Sequence, residues 1–474
     1  MMLNVGGQYN QEPSKNNHPP NHRSKTSATG GGIGAKLVGW LKQLWGGSRG
    51  NKTSLAPASR VNGPIQVKPK PHPIKLMVVT AWRKSGAKMM ILNIILSLLT
   101  IAAYYATDVS PEVNWRAPFV GYTIPIFLVL QFLFMLMWGF RSKPAHLLLP
   151  LATILIGFKH LRATLAINVS PDVVHHDLKV VSYNIRMMQG YGLVRDRTKE
   201  EAKAMVTWLQ GTDADIICLQ EYYNNAKRFG FDFDEQMQEV GFKYRYFSEA
   251  RRTYWVQGQL GMIIYSKFPI VGHKTLHKSD GPNNQIMYAD VRTPKGIIRV
   301  YDVHLHSLQL KERELNTKGG GEKIKQNAKS VGSKLRHGFL ERTQQVRLLD
   351  SNIKSSPYPV IVCGDYNDLP YSYTYTTFRK HLDNAFEEAG SGFDFSFNGK
   401  IPFLRIDNQF CSPSFRVLNF ETWDQVGLSD HFPIVGWYQM EKLEGQQAPT
   451  EDNGSASQMA KTKPKTKRKS DKAS

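Results

Sequence analysis

The stretch Val360-Ile361-Val362-Cys363-Gly364-Asp365-Tyr366-Asn367-Asp368 is a β-branched apolar run that breaks into a glycine, two carboxylates and an amide. Such a run reads as a buried strand, and its polar tip projects into whatever lies beyond the sheet. Carboxylate and amide oxygens this close together suit a hard divalent cation, or a water held beside one. Gly, Asp and Asn also dominate ordinary turns, so the stretch alone fits a strand-to-turn junction equally well. Other residues of chemical use follow hydrophobic runs in the same way: Asn184, Glu221 and His304. Asp407 stands in Arg405-Ile406-Asp407, and Ser429-Asp430-His431 precedes a last apolar run, Ile434–Tyr438. Taken singly, each is more often a turn or a satisfied core group. Together, with no Gly-rich phosphate loop and no serine-centred elbow, they point to metal-assisted hydrolysis.

The elements that must position these residues form a mixed α/β domain from Asp177 onward. Strands are expected over Leu178–Tyr183, Asp215–Leu219 (ending at Gln220-Glu221), Phe242–Phe247, Gly261–Tyr265, Met287–Arg292 and Gly296–His304. Ala202, Met205, Val206 and Leu209 recur at helical spacing and are closed by Gly211. Lys311 to His337 is charged and contains glycines, and is expected to be a loop beside the cleft. A helix over Gly338–Ile353 leads into the strand at Val360. Cys218, Cys363 and Cys411 are widely spaced and read as core thiols.

Before residue 170 the chain changes character. Residues 1–75 are a basic tail, and the first 88 residues hold a single acid, Glu12. Three apolar runs follow at about 89–105, 117–140 and 146–167, and the region 76–170 is expected to cross a membrane. Arg83, Lys84 and Lys88 precede the first run, Arg141 and Lys143 follow the second, and the loop between them holds Asp108, Glu112 and Arg116. That bias puts the N-terminus in the cytoplasm. Three crossings then place the domain at 171–440 outside, on the periplasmic side of a bacterial inner membrane; two leave it cytoplasmic. Lys159 and Arg162 disturb the third run. Residues 441–474 are a Lys-rich tail, and the net charge of +22 suits anionic partners or a membrane surface.

In order and spacing, Asn184 in Val-Ser-Tyr-Asn, Leu-Gln-Glu221, His304-Leu305, Gly-Asp365-Tyr-Asn367, Arg-Ile-Asp407 and Ser-Asp430-His431 resemble the endonuclease/exonuclease/phosphatase superfamily. The resemblance spans about 177–440. Pro370–Tyr375, Asp383–Phe386 and the preceding apolar runs look closest to its membrane-anchored bacterial branch. It implies a four-layer α/β sandwich of the DNase I-like type. It also implies that Glu221 is the main ligand for Mg²⁺ or Mn²⁺, with Asn184 close by and Asp430 assisting. Asp407 would orient His431, which would serve as general base or phosphate clamp. Asp365 would position the attacking water, and Asn367 and His304 would bind phosphate oxygens. The sequence departs from the pattern after Asp407, where Asn408-Gln409-Phe410 replaces the usual Tyr and aliphatic residue.

These readings converge on a membrane-anchored, divalent-metal-dependent phosphoester hydrolase, a phosphodiesterase of nuclease type above all. Basic charge favours nucleic acid, and Tyr222, Tyr223, Tyr254 and Trp255 could stack on its bases, although packing within loops is the commoner role of such rings. Tethering favours a phospholipid or sphingomyelin head group instead. A non-catalytic binding module on the same fold is the rival from another class, and retention of every catalytic residue type opposes it. Transport is disfavoured, because the first two runs contain no charged residue. The partners implied are the phosphoester and the lipid bilayer; no protein partner is inferable.

Overall fold

The computed structural model describes residues 73–141, 144–168, 175–189, 197–250, 258–279, 284–307, 321–399 and 402–441. The tails before residue 73 and after residue 441 lie outside them. The chain from Pro73 onward forms one compact unit.

The apolar region gives α1 (Pro73–Ala106), α2 (Ala117–Gly121), α3 (Ile124–Phe140), α4 (Pro144–Ile156) and α5 (Phe158–Thr164). Gly86–Ala106 and Ala117–Phe140 are each long and apolar enough to cross a membrane. The third run is broken: α4 and α5 meet at Gly157 with a bend of 72°. Polar side chains tie α1 to α3, since the amide of Gln131 donates to Ser97 Oγ (3.3 Å) and Thr100 Oγ1 (3.1 Å). Asn93 donates to Gln131 Oε1 (3.2 Å) and accepts from Trp138 Nε1 (3.3 Å). In hydrocarbon such bonds have no water to compete with them, and they fix which faces of the helices meet.

After β1 (Ala166–Ile167) the α/β domain begins. It runs β2 (Leu178–Asn184), α6 (Arg197–Gly211), β3 (Ile216–Asn224), α7 (Ala226–Phe229), α8 (Phe233–Glu239), β4 (Tyr244–Glu249), β5 (Gln259–Ser266), β6 (Ile270–Lys278), β7 (Gln285–Thr293) and β8 (Gly296–His304). Then come α9 (Gly321–Lys354), β9 (Val360–Asp365), α10 (Tyr373–Arg379), β10 (Asp383–Asn384), α11 (Ala385–Ala389), β11 (Ser391–Gly392), β12 (Asp407–Cys411), β13 (Phe415–Thr422) and β14 (Ile434–Met440). The strands form two six-stranded sheets, in the orders β10-β12-β9-β8-β7-β6 and β13-β14-β2-β3-β5-β4.

Side chains that alternate along the strands separate the layers. Leu178, Val180, Ile216 and Cys218 face Val300, Ile361 and Cys363 across the space between the sheets. Val181, Tyr183, Ile217 and Leu219 point the other way, onto Ala202, Met205, Val206 and Leu209 of α6. On the opposite exterior, Val303, Val360 and Val362 are covered by Val346, Leu349 and Ile353 of α9. The result is the expected four-layer α/β sandwich, with helical apolar segments preceding it. All three cysteines are buried and unbridged.

Two expectations are corrected. The charged segment up to His337 is helical from Gly321, sustained by good helix formers such as Lys and Ala, and from residue 327 to His337 no side chain is fully buried. Glu221 lies within β3 rather than at its end, because a bulge lets the strand continue past it. Asp407 is the first residue of β12. The Asn408-Gln409 departure leaves β12 intact: Asn408 and Gln409 pair in register with Gly364 and Cys363, and the Gln409 amide donates to Val180 O (3.2 Å) and Ile434 O (3.1 Å) of the facing sheet.

Candidate active site

Strand register brings the predicted residues together. His304 of β8 and Asp407 of β12 both pair directly with Asp365 of β9, so three of them stand side by side across adjacent strands. On the facing sheet, Asn184 pairs with Gln220, the neighbour of Glu221. Asp430 and His431 reach the same level just before β14. A Cβ on Gly364 would stand 2.0 Å from Val303 O, at a φ of +139°, so only glycine lets β9 approach β8 this closely.

Asp365 is the hub. Its Oδ2 accepts from Asn184 Nδ2 (3.1 Å) and Asn367 Nδ2 (3.2 Å), and lies 3.4 Å from His304 Nε2 and 3.7 Å from His431 Nε2. Its Oδ1 accepts from the Asn367 amide N–H (2.8 Å). The other Asn367 Nδ2 bond goes to Leu305 O (3.0 Å), so both side-chain protons are committed. In this arrangement Asn367 positions Asp365 and has no donor left for a phosphate oxygen.

His431 is buried and bonded through Nδ1 to Asp407 Oδ2 (2.9 Å). The same carboxylate oxygen accepts from Ser396 Oγ (2.7 Å), whose own oxygen accepts from the backbone N–H groups of Ile406 (3.0 Å) and Asp407 (2.9 Å). Burial opposes a charge on His431, but Asp407 and then Asp365 outweigh it and push its pKa up to about 10. Burial lifts Asp407 to about 6 against the pull of His431. Both values describe a charged Asp407–His431 pair at neutral pH.

Glu221 faces His304, its Oε1 4.0 Å from His304 Nε2. Its φ is +50°, left-handed for a residue with a Cβ, and it falls in the β3 bulge between Leu219 and Tyr222. Bulges re-aim side chains, and strain of this kind costs on the order of 1–3 kcal/mol, which the surrounding structure sustains. Asn184 Oδ1 accepts from the Arg186 N–H (3.1 Å), and the Arg186 side chain pairs with Asp430 Oδ2 (3.3 Å). Asp430 is thus held by a guanidinium.

Among the described residues, one group of side chains is close enough together to hold a cation. Asp365, Asp407 and His431 each offer one ligand atom within 4.8 Å of the others, a carboxylate/His group able to hold a metal. Within it, however, His431 Nδ1 and Asp407 are already bonded to each other. Glu221 and Asn184 offer oxygen donors alone, the set that Mg²⁺ or Mn²⁺ prefers.

Sequence reasoning missed Arg186, which its neighbours Ile185 and Met187 gave no reason to single out. It also missed Ser396, which lies in an irregular segment with no motif around it. Nor did it find the buried pair beneath the site, where Gln220 Nε2 donates to Asp302 Oδ1 (2.6 Å) and burial raises the Asp302 pKa well above the carboxylate range. Of the aromatics, Tyr222 and Tyr223 have the packing role, buried in the core with no stacking face, and Tyr254 and Trp255 lie outside the described residues.

Comparison with solved structures finds similarity to an endonuclease/exonuclease/phosphatase from Beutenbergia cavernae, at 18% identity over 56% of this chain and 72% of that one, with a TM-score of 0.40. The human Nocturnin catalytic domain with bound sulfate anion is 16% identical over 58% and 97% of the two chains, TM-score 0.40. The mannosyl-6-phosphatase Bt3783 of Bacteroides thetaiotaomicron is 20% identical over 55% and 99%, TM-score 0.35. No curated protein matches the sequence. Residues 87–164 match a family described as a domain of unknown function (DUF8431). Residues 181–431, more than half of the 474, match the Endonuclease/Exonuclease/phosphatase family. With that match over the segment that carries every site residue, the chain belongs to the endonuclease/exonuclease/phosphatase family.

Proposed function

We propose that the protein is a membrane-anchored, divalent-metal-dependent phosphodiesterase whose substrate is a diester carried by the bilayer. The observation that carries the hydrolase reading is the Asp365 hub, which joins both catalytic histidines, Asn184 and Asn367 at one carboxylate oxygen. Asp365 accepts a proton from, or orients, a water beside it. His431, charged at neutral pH, suits a clamp on a non-bridging oxygen better than a general base, and Ser396 and Asp407 keep its Nε2 turned to the cleft. His304 Nε2, between Asp365 and Glu221, and the Arg186 guanidinium supply further positive character for the phosphoryl oxygens. Glu221 with Asn184 would hold Mg²⁺ or Mn²⁺, and Asp430 would join them once released from Arg186. A cation held by these residues would supply charge neutralisation at the phosphoryl group.

The position of the domain on its own spans favours a lipid-borne diester over nucleic acid. Thr376 Oγ1 donates to Thr107 O (2.7 Å), Lys380 pairs with Asp108 (3.3 Å), and Tyr122 OH donates to Asp368 (2.5 Å), the neighbour of Asn367. These contacts support a reading in which the loop 107–116 and the catalytic domain lie on one side of the membrane. Arg162 and Lys159 are taken up by this interface rather than by lipid, through Glu388 (2.9 Å) and Asp108 (3.5 Å). With α4 and α5 completing a third crossing, the lysine and arginine bias puts the domain on the non-cytoplasmic face, the periplasm in a bacterium.

The test is turnover by the purified full chain in detergent, with Mg²⁺ and with EDTA, on bis(p-nitrophenyl) phosphate, supercoiled DNA and phospholipid vesicles. Metal-dependent hydrolysis that His431→Ala lacks is the expected result. Cleavage of DNA with vesicles untouched would overturn the lipid assignment, and no turnover of any of them would overturn the hydrolase reading.

A further inference from the structure

A cavity of about 490 Å³ begins one residue beyond His431, at Phe432. Phe386, Phe393, Phe395 and Phe420 complete its aromatic wall. Thr422 of β13, which also lines it, pairs with Ile434, and Ile434 pairs with Ser182, two residues short of Asn184. Cavity and catalytic strand ends thus stand at one level. The segment between them is fixed: Phe432 N–H donates to Ser396 O (2.7 Å), Asn398 N–H to Asp430 O (2.7 Å), and the Phe397 ring stands edge-on to His431 with centroids 5.0 Å apart.

Three carboxylates share this wall, Asp394, Glu421 and Asp424. In a chain of net charge +22 that is a local reversal of sign. Asp394 and Thr422 lie together in this wall, where burial holds the Asp394 pKa above its usual range against the pull of Arg405 and the Thr422 hydroxyl. Arg405 lies behind Phe386, its guanidinium 4.1 Å from the ring centroid, and is committed to Ala163 O (2.5 Å), Asn408 (3.3 Å) and Asn384 (3.5 Å). It does not line the cavity, so it lowers but does not cancel the negative charge inside.

Ring faces carry the negative end of the aromatic quadrupole, and carboxylates add full charge. That combination repels phosphate and suits an alkylated ammonium, whose methyl groups meet the rings and whose charge meets the acids. We infer that the cavity receives the alkylammonium head of the phosphodiester whose phosphate lies at His431, held by the phenylalanine rings and Asp394. The loop that bears Phe393 and Phe395 starts at β11, which pairs with β1 directly after the last membrane-proximal helix, α5. Phe393 is 60% exposed, and Phe403, packed on Phe395, is 72% exposed. An apolar ridge hung from the segment that leaves the spans assigns the diester to a lipid. The placement of substrate rests on the hydrolase reading; binding of the cation does not.

The experiment uses the full chain in dodecyl maltoside with EDTA, and tetramethylammonium as probe, with binding read by saturation-transfer NMR. Wild type binds and His431→Ala binds equally, while Asp394→Asn and the exposed-site variant Phe393→Ala each lose about tenfold in affinity. In parallel, with Mg²⁺, kcat/KM for phosphatidylcholine over phosphatidylglycerol vesicles falls about tenfold in both cavity variants, with bis(p-nitrophenyl) phosphate turnover unchanged. Absence of tetramethylammonium binding in wild type, or equal binding in both cavity variants, overturns the inference. Binding without turnover of any ester overturns the hydrolase reading and leaves the cation site standing. A preference seen with soluble glycerophosphocholine and lost with vesicles overturns the assignment to lipid.

Discussion

Asp365 gathers two histidines and two amides at one oxygen, and the charge state of His431 follows from the acids around it. If the imidazolium is the working form, activity falls as pH rises and His431 loses its proton. The limb lies toward pH 10, where burial is outweighed by Asp407 and Asp365. Asp407→Asn removes the larger of these charges, so kcat/KM should drop about a hundredfold and the alkaline limb should move to lower pH. A limb left in place in the pH profile of the variant would assign it to another group. The same shift is a stability term. A histidine raised from 6.5 to about 10 stabilises the fold fully below 6.5, and the contribution is lost as pH climbs through 10. The melting-temperature gap between wild type and His431→Gln should therefore narrow across that window. Glu221 gives the converse case. Glycine tolerates its φ of +50°, so Glu221→Gly should melt no lower than wild type, gaining up to about 1 kcal/mol, while losing metal-dependent turnover. A clear drop in melting temperature would mean that the glutamate is a structural residue.

At the scale of elements, the alternating apolar pattern made most strands legible, because a strand buried on both faces leaves a continuous β-branched run. β6 escaped notice: its Gly272, His273, Lys274 and His277 reflect an edge strand whose sides are largely wet. The helix over Gly321–His337 escaped for the same reason, since a mostly solvated helix shows only a faint apolar stripe. The junction between spans and domain has its own test. A Cβ on Gly121 would stand 2.4 Å from Tyr371 O, so Gly121→Val forces the start of the second span away from the catalytic domain. Turnover of soluble bis(p-nitrophenyl) phosphate should survive, while turnover of vesicle lipid falls about tenfold or more, because the cleft loses its fixed height over the membrane. Equal losses on both substrates would show that the contact supports folding rather than presentation.

For the whole molecule, the contacts of the 107–116 loop with α10 make a topological prediction. Cysteines introduced at Val113 and at Lys274 should both react with an impermeant maleimide applied outside intact cells, since the three native cysteines are buried. Labelling of one and protection of the other would separate the loop from the domain and undo the three-crossing arrangement. The sequence by itself marked a mixed α/β domain, the apolar runs and the eight residues offered for the site, because periodicity and residue type are local properties that survive in one dimension; the four-layer sandwich followed from the order of motifs shared with the family. The partners of Lys159 and Arg162, which are Asp108 and Glu388, are not legible in it. Tertiary structure alone decided those partners, the spent donors of Asn367, the Arg186–Asp430 pair, and the meeting of Asp394 with rings from β13 and α11. Each is a contact between segments far apart in the chain, set by how two sheets and a helical anchor pack, and no spacing in the sequence encodes it.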